Sequence, residues 1–120
     1  MKERRKHRRA SLEVPLDVSD ASKKTRGFRA KTVNLSAGGF YCKVPFYIPV
    51  YTKLKISMAI PISEETDEEH VISCEGMVVR TVPEEPDPAV KTYEIGCFFT
   101  DIDDYDRLII EQYLAEKAFR

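Results

Sequence analysis

Two clusters of side chains in this 120-residue chain have the types and spacing to hold an anion. The first is the opening run, where Lys2, Arg4, Arg5, Lys6, Arg8 and Arg9 surround His7 and only Glu3 offsets them. Guanidinium groups present planar forks of donors that fit phosphate oxygens in pairs, and they also stack on flat rings. The second cluster is Asn34-Leu35-Ser36-Ala37-Gly38-Gly39, which sets Asn34, Ser36 and Gly39 at i, i+2 and i+5. Two readings fit it. Asn and Ser can bond the amides of their own turn while Gly38 and Gly39 supply positive φ. Alternatively, the polar side chains and exposed amides form a shallow acceptor for a polar ligand, with arginines closing over it.

Catalytic chemistry has no comparable foundation. His7 and His70 stand in no metal-ligand spacing and have no nucleophile-like neighbour. Cys42, Cys74 and Cys97 are far apart, odd in number and set in apolar or mixed runs without a CxxC pair, so they read as reduced thiols packed in strands. The carboxylates gather in stretches that read as solvated loops, and no glycine-rich phosphate loop is present. The expectation is a binding protein, with no enzyme activity, metal or cofactor.

The elements that must position these residues are short and mostly of period two. Leu12, Val14, Leu16 and Val18 alternate with polar neighbours, and Pro15 argues for an edge or a bulge. Phe28, Ala30 and Thr32 lead into Asn34. Phe40, Cys42 and Val44 resume beyond the glycines, and Leu54, Ile56, Met58 and Ile60 alternate cleanly. Residues 63–70 read as an exposed acidic loop containing His70. Residues 71–82 and 91–100 are two more strands, joined by a turn-rich loop over 83–90. About six strands at hairpin spacing, with no helix between them, imply an antiparallel sandwich or closed barrel. The end of the chain changes period. Tyr105, Ile109 and Tyr113, with Leu108 beside them, predict a helix over about 103–118, with Asp103 as N-cap and its apolar stripe over a barrel mouth.

Length bounds the chain to one core. No apolar run approaches the roughly 20 residues of a membrane span, and no apolar segment follows the basic start as in a secretory signal, so a cytoplasmic location is expected. Charge is divided unevenly: residues 1–31 hold eleven Lys or Arg against four Asp or Glu, and the remainder eight against sixteen. A basic arm over 1–11 on an acidic body over 12–120 suggests a local anion site in place of a broad nucleic-acid surface. Neither DNA, RNA nor a membrane is expected as a partner.

Taken together, Arg5-Lys6-His7-Arg8-Arg9 as RxxxR and Asn34 to Gly39 as [D/N]xSxxG resemble the two signatures of PilZ domains, bacterial receptors for cyclic di-GMP. The resemblance extends over nearly the whole chain, through Gly76-Met77-Val78-Val79-Arg80, Ile95-Gly96-Cys97-Phe98-Phe99 and the terminal helix. It implies a stand-alone, all-β domain: a six-stranded antiparallel β-barrel of split-barrel type, capped by the helix. It also implies roles. Arg5 and Arg9 would grip the ligand's phosphates and guanine edges, Asn34 would bond a guanine edge, Ser36 would donate its hydroxyl, and Gly39 would let the turn approach. Arg4 and Arg8 form a second, overlapping RxxxR frame, and an arginine at position 4 accompanies binding of a stacked ligand pair in the family. Lys6 and His7 would face solvent. The arm, too charged to pack alone, would order over the turn on binding and signal to a downstream protein.

Two alternatives are carried beside this one: a PilZ-like interaction module without a ligand, and non-specific polyanion binding by the basic arm. The second predicts steep salt dependence and no need of Asn34 or Ser36.

Overall fold

The computed structural model describes residues 9–10 by their backbone, and 13–20, 27–62 and 65–118 in full. Its strands are β1 (Arg9–Ala10), β2 (Pro15–Asp20), β3 (Phe28–Ser36), β4 (Gly39–Val44), β5 (Lys53–Pro61), β6 (Glu69–Val82) and β7 (Tyr93–Asp101), followed by the helix α1 (Asp104–Ala118). Every pairing is antiparallel. The ring runs β2–β3–β4–β7–β6–β5 and returns to β2, so six strands close a barrel. The two residues of β1 add to β3 at the end that β2 leaves free.

Alternation decides which side chains enter the barrel. Leu54, Ile56, Met58 and Ile60 of β5 all point inward, as do Leu16 and Val18 of β2 and Ile72, Cys74 and Val78 of β6. The opposite set on each strand stays in water, so a slip of one residue would turn the whole apolar set outward. Buried Thr32 joins the start of β2 to β3: its Oγ1 accepts from Val14 N at 2.8 Å, and its own amide donates to Val14 O at 3.0 Å. Pro15 does not mark an edge. It is the first residue of β2, opposite Lys31, and the ladder to β5 begins only at Leu16, so its missing N–H leaves no rung unmade.

The helix begins where the sequence places it. Asp103 O accepts the first intrahelical bond from Arg107 N at 2.9 Å, and Asp104 and Asp106 lie in the first turn. Its buried face differs from the expected stripe. Ile110, Tyr113 and Leu114 are buried and Ile109 half-buried, whereas Tyr105 and Leu108 are exposed. α1 lies against β5, β1 and β3. His70 accompanies this orientation. It belongs to β6, opposite Ile60, and not to the acidic loop; its Nε2 meets Asp106 Oδ1 at 2.8 Å, and its ring meets Tyr105 edge to face. This contact ties the first helical turn to β6 in the orientation that buries Ile110, Tyr113 and Leu114.

Candidate functional site

Ser36 and Gly39 face each other at the ends of β3 and β4, with Ala37 and Gly38 between them. The Ser36 hydroxyl holds this turn: Oγ accepts from Gly38 N at 3.1 Å and Gly39 N at 3.2 Å, and donates to Gly39 O at 3.3 Å. A second tie runs to the barrel, because Phe99 N donates to Gly38 O at 2.9 Å. Ala37 is buried beneath. The turn is therefore a fixed feature of the rim.

Neither glycine supplies the positive φ that the sequence suggests; no described glycine has one. Gly39 is needed for proximity. A Cβ there would stand 2.1 Å from Cys97 O and 2.6 Å from Phe98 Cα, both backbone atoms of β7. The requirement is set by a strand almost sixty residues away along the chain, out of reach of any local reading of the turn.

Asn34 owes its place to a β-bulge. The β3–β4 register pairs Thr32 with Cys42 but Asn34 with Tyr41, leaving Val33 as the extra residue. Without it, alternation from buried Thr32 would turn Asn34 into the core. With it, Asn34 is half-buried on the outer face, in line with Ser36. Next to this pair, β1 sets the backbone of Arg9 opposite Ser36 and Ala10 opposite Leu35. The last arginine of the RxxxR run and the serine of the turn are thus neighbours in register. Arg4, Arg5 and Arg8, with Lys6 and His7, lie outside the described residues.

The thiols form no second site. Burial, assisted by Glu94, pushes Cys42 up to about 12; burial with nearby Asp106, Asp101 and Glu75 does the same for Cys74, also to about 12. Burial, with the other two cysteines alongside, raises Cys97 to about 12. All three are free and buried. Among the described residues no group of three His, Cys, Asp or Glu could hold a metal ion, and no helix is long and apolar enough to cross a membrane. A groove of about 810 Å³ shares no residue with the turn. Its lining mixes Arg29 and Lys55 with Asp17, Glu75, Asp101 and Asp103, and Arg29 is already paired with Asp17 at 3.0 Å. Such a mixture selects no sign of ligand.

The family model for the PilZ domain matches residues 3–116. No curated protein sequence shows a significant match. Among solved structures, the chain is similar to the inhibitor of motility MotI/DgrA of Bacillus subtilis, at a TM-score of 0.79 and 18% identity, covering 98% of this chain and 53% of that one. It is similar to the K. pneumonia MrkH–c-di-GMP complex at a TM-score of 0.70 and 18% identity, over 98% and 53% of the two chains. It is also similar to the PilZ domain with c-di-GMP of YcgR from Escherichia coli, at a TM-score of 0.58 and 15% identity, over 98% and 99%. The chain thus spans about half the length of MotI/DgrA and of MrkH.

Proposed function

The chain belongs to the PilZ domain family, and from that premise we propose that it is a cytoplasmic receptor for cyclic di-GMP. The observation that carries the reading is the meeting of the two signatures: the strand that ends the RxxxR run is in register with the Ser36–Gly39 turn, so that Arg9 and Ser36 are backbone neighbours. The structures of MrkH and of the YcgR domain with c-di-GMP support the choice of ligand.

In this reading the site recognises and does not react. Arg5 and Arg9, with Arg4 and Arg8 in the overlapping frame, supply charge and paired donors to the two phosphates and the guanine acceptors. Asn34 meets a guanine edge. Ser36 keeps both amides as donors and re-aims its own proton, since the bond to Gly39 O is the longest of the three at 3.3 Å. Gly39 allows the approach. Binding closes the basic segment over the rim, beside α1, and the remodelled surface is what a downstream protein reads. Each residue so ordered costs roughly 1–2 kcal/mol, which the ionic and stacking contacts must exceed.

The test is calorimetric titration with cyclic di-GMP at near-physiological salt, with cyclic di-AMP and GTP as controls. Selective, saturable heat that is lost in Ser36→Ala and Asn34→Ala supports the receptor. Absence of heat from folded protein overturns it. Heat that survives both substitutions and falls steeply with salt assigns the basic segment to non-specific polyanion binding.

A further inference from the structure

The cross-strand row that begins at Asn34 continues past the signature residues. Asn34 is opposite Tyr41, Tyr41 opposite Gly96, and Gly96 opposite Arg80, so four strands contribute one residue each to a line across the outer face. At about 4.8 Å per strand the line is about 14 Å long. Its middle is an aromatic ring laid over a glycine. Tyr41 Cζ, Cε1 and Cε2 would stand 3.0, 3.2 and 3.4 Å from a Cβ on Gly96, so any side chain there would lift the ring. The tip of Tyr41 is thereby carried across β7 toward Arg80.

Arg80 reaches this line by the same device as Asn34. The β6–β7 register pairs Val78 with Cys97 but Arg80 with Gly96, leaving Val79 as an extra residue. Val78 and Thr81 are buried, so strict alternation from Val78 would send Arg80 into the barrel; the bulge holds it outside and exposed. Two separate bulges therefore turn two polar side chains onto one row, one at each end, with a ring between them. Bulges that re-aim a side chain concentrate beside binding sites. Arg80 makes no ion pair with any described residue.

We infer that the row Asn34–Tyr41–Gly96–Arg80 is the base-reading half of the site: a purine lies on Tyr41 while Arg80 bonds its O6/N7 edge. This rests on the receptor reading above and deepens it. An aromatic face accepts any base, because every base has a π surface. A guanidinium fork pairs with the two acceptors of guanine, whereas adenine offers a donor in place of one of them. Tyr41 thus contributes affinity and Arg80 contributes the choice of guanine.

The test uses the whole chain and four variants, with folding checked by thermal melting. Wild type binding cyclic di-GMP over cyclic di-AMP is the required baseline; no binding by wild type overturns both the receptor and the row. Given that baseline, Arg80→Ala weakens cyclic di-GMP about tenfold or more and erodes its preference over cyclic di-AMP, while Arg80→Lys restores part of the affinity and not the preference. Tyr41→Leu weakens both cyclic dinucleotides at least about fivefold, the lower bound of a base–aromatic stack. The chain has no Trp, so Tyr41→Trp places a single indole at the row. Its emission is quenched by saturating cyclic di-GMP if a base lies on it. Affinity and preference within twofold of wild type in Arg80→Ala and Tyr41→Leu, or an unquenched indole in a variant that still binds, overturn the row and leave the receptor standing.

Discussion

Replacing Gly39 by alanine tests whether the turn is held by proximity or by backbone conformation. The new methyl would meet Cys97 O at 2.1 Å and Phe98 Cα at 2.6 Å, atoms that belong to a strand paired on both sides and cannot rotate away. Ordinary contacts begin near 3.5 Å, so the start of β4 must retreat from β7 by roughly 1 Å. That retreat stretches the bond from Phe99 N to Gly38 O, now 2.9 Å, beyond useful length. Overpacking against rigid neighbours costs about 1–3 kcal/mol and the lost bond about 1 kcal/mol, giving an expected destabilisation of about 3 kcal/mol. For a domain of this size that is a fall of about 12 °C in Tm. The control is Gly27→Ala, whose methyl would make ordinary contacts of 3.4 Å to Val18 O and 3.6 Å to Ser19 Cβ and is expected to be neutral or slightly stabilising. Thermal and urea unfolding of both variants measure the difference. A loss below about 1 kcal/mol for Gly39→Ala would refute the steric argument and return the glycine to the role of a flexible link.

Gly96→Ala should behave differently, because its Cβ meets only the movable ring of Tyr41 at 3.0 Å: stability falls by less than about 1 kcal/mol, measured by urea unfolding. Thr32→Val leaves the buried Val14 amide without its acceptor and should cost about 1–3 kcal/mol, with faster hydrogen exchange at Val14. Asp106→Ala removes the partner of half-buried His70 and should cost about 1–2 kcal/mol, with exchange accelerating first in the opening turn of α1. The cysteines carry a signed pH dependence. Each folded thiol sits at about 12 against an ordinary 9.0, so the unfolded chain loses these protons first, and stability should fall as pH climbs from about 9 toward 12. At pH 8 a thiol reagent should label none of them until urea is added; rapid labelling of native protein would contradict their burial.

What the sequence discloses and what it withholds divide along one line, the range of the interaction that fixes each feature. Leu54, Ile56, Met58 and Ile60 announce β5 because alternation is a local consequence of one buried face. The start of α1 is equally local, since Asp103 and the acidic first turn act within four residues. The inward face of the helix is not. Tyr105–Ile109–Tyr113 and Ile110–Tyr113–Leu114 are both proper helical stripes, and the choice between them depends on packing against distant strands, with Asp106 meeting His70 thirty-six residues away. The same holds for Gly39, whose constraint is written in Cys97 and Phe98. Neither bulge leaves a local trace, because Val33 and Val79 are ordinary strand residues whose extra position exists only against a partner strand. The polar residues of the turn were legible for their type. Tyr41 was not, since an outward aromatic in a strand is commonplace until a glycine is found beneath it.

That half of the proposed site is built into the barrel has an energetic consequence. The turn, the bulges and Tyr41 are positioned by the barrel, so their ordering is met during folding and adds nothing to the cost of binding. In the proposed reading even the Ser36 hydroxyl need give up only its longest bond to face a ligand, while the two amides continue to hold its oxygen in place. In the same reading, the like charges of the RxxxR run are brought together at lower cost when a dianionic ligand neutralises them. The barrel half then supplies selectivity through Arg80, and the charged run supplies overall affinity. Arg80→Ala should change which nucleotide is preferred, Tyr41→Leu how tightly either cyclic dinucleotide is held, and substitutions of Arg4, Arg5, Arg8 or Arg9 chiefly the overall affinity and its salt dependence. A salt dependence unchanged in the Arg4, Arg5, Arg8 and Arg9 variants, or a preference for guanine unchanged in Arg80→Ala, would refute this division.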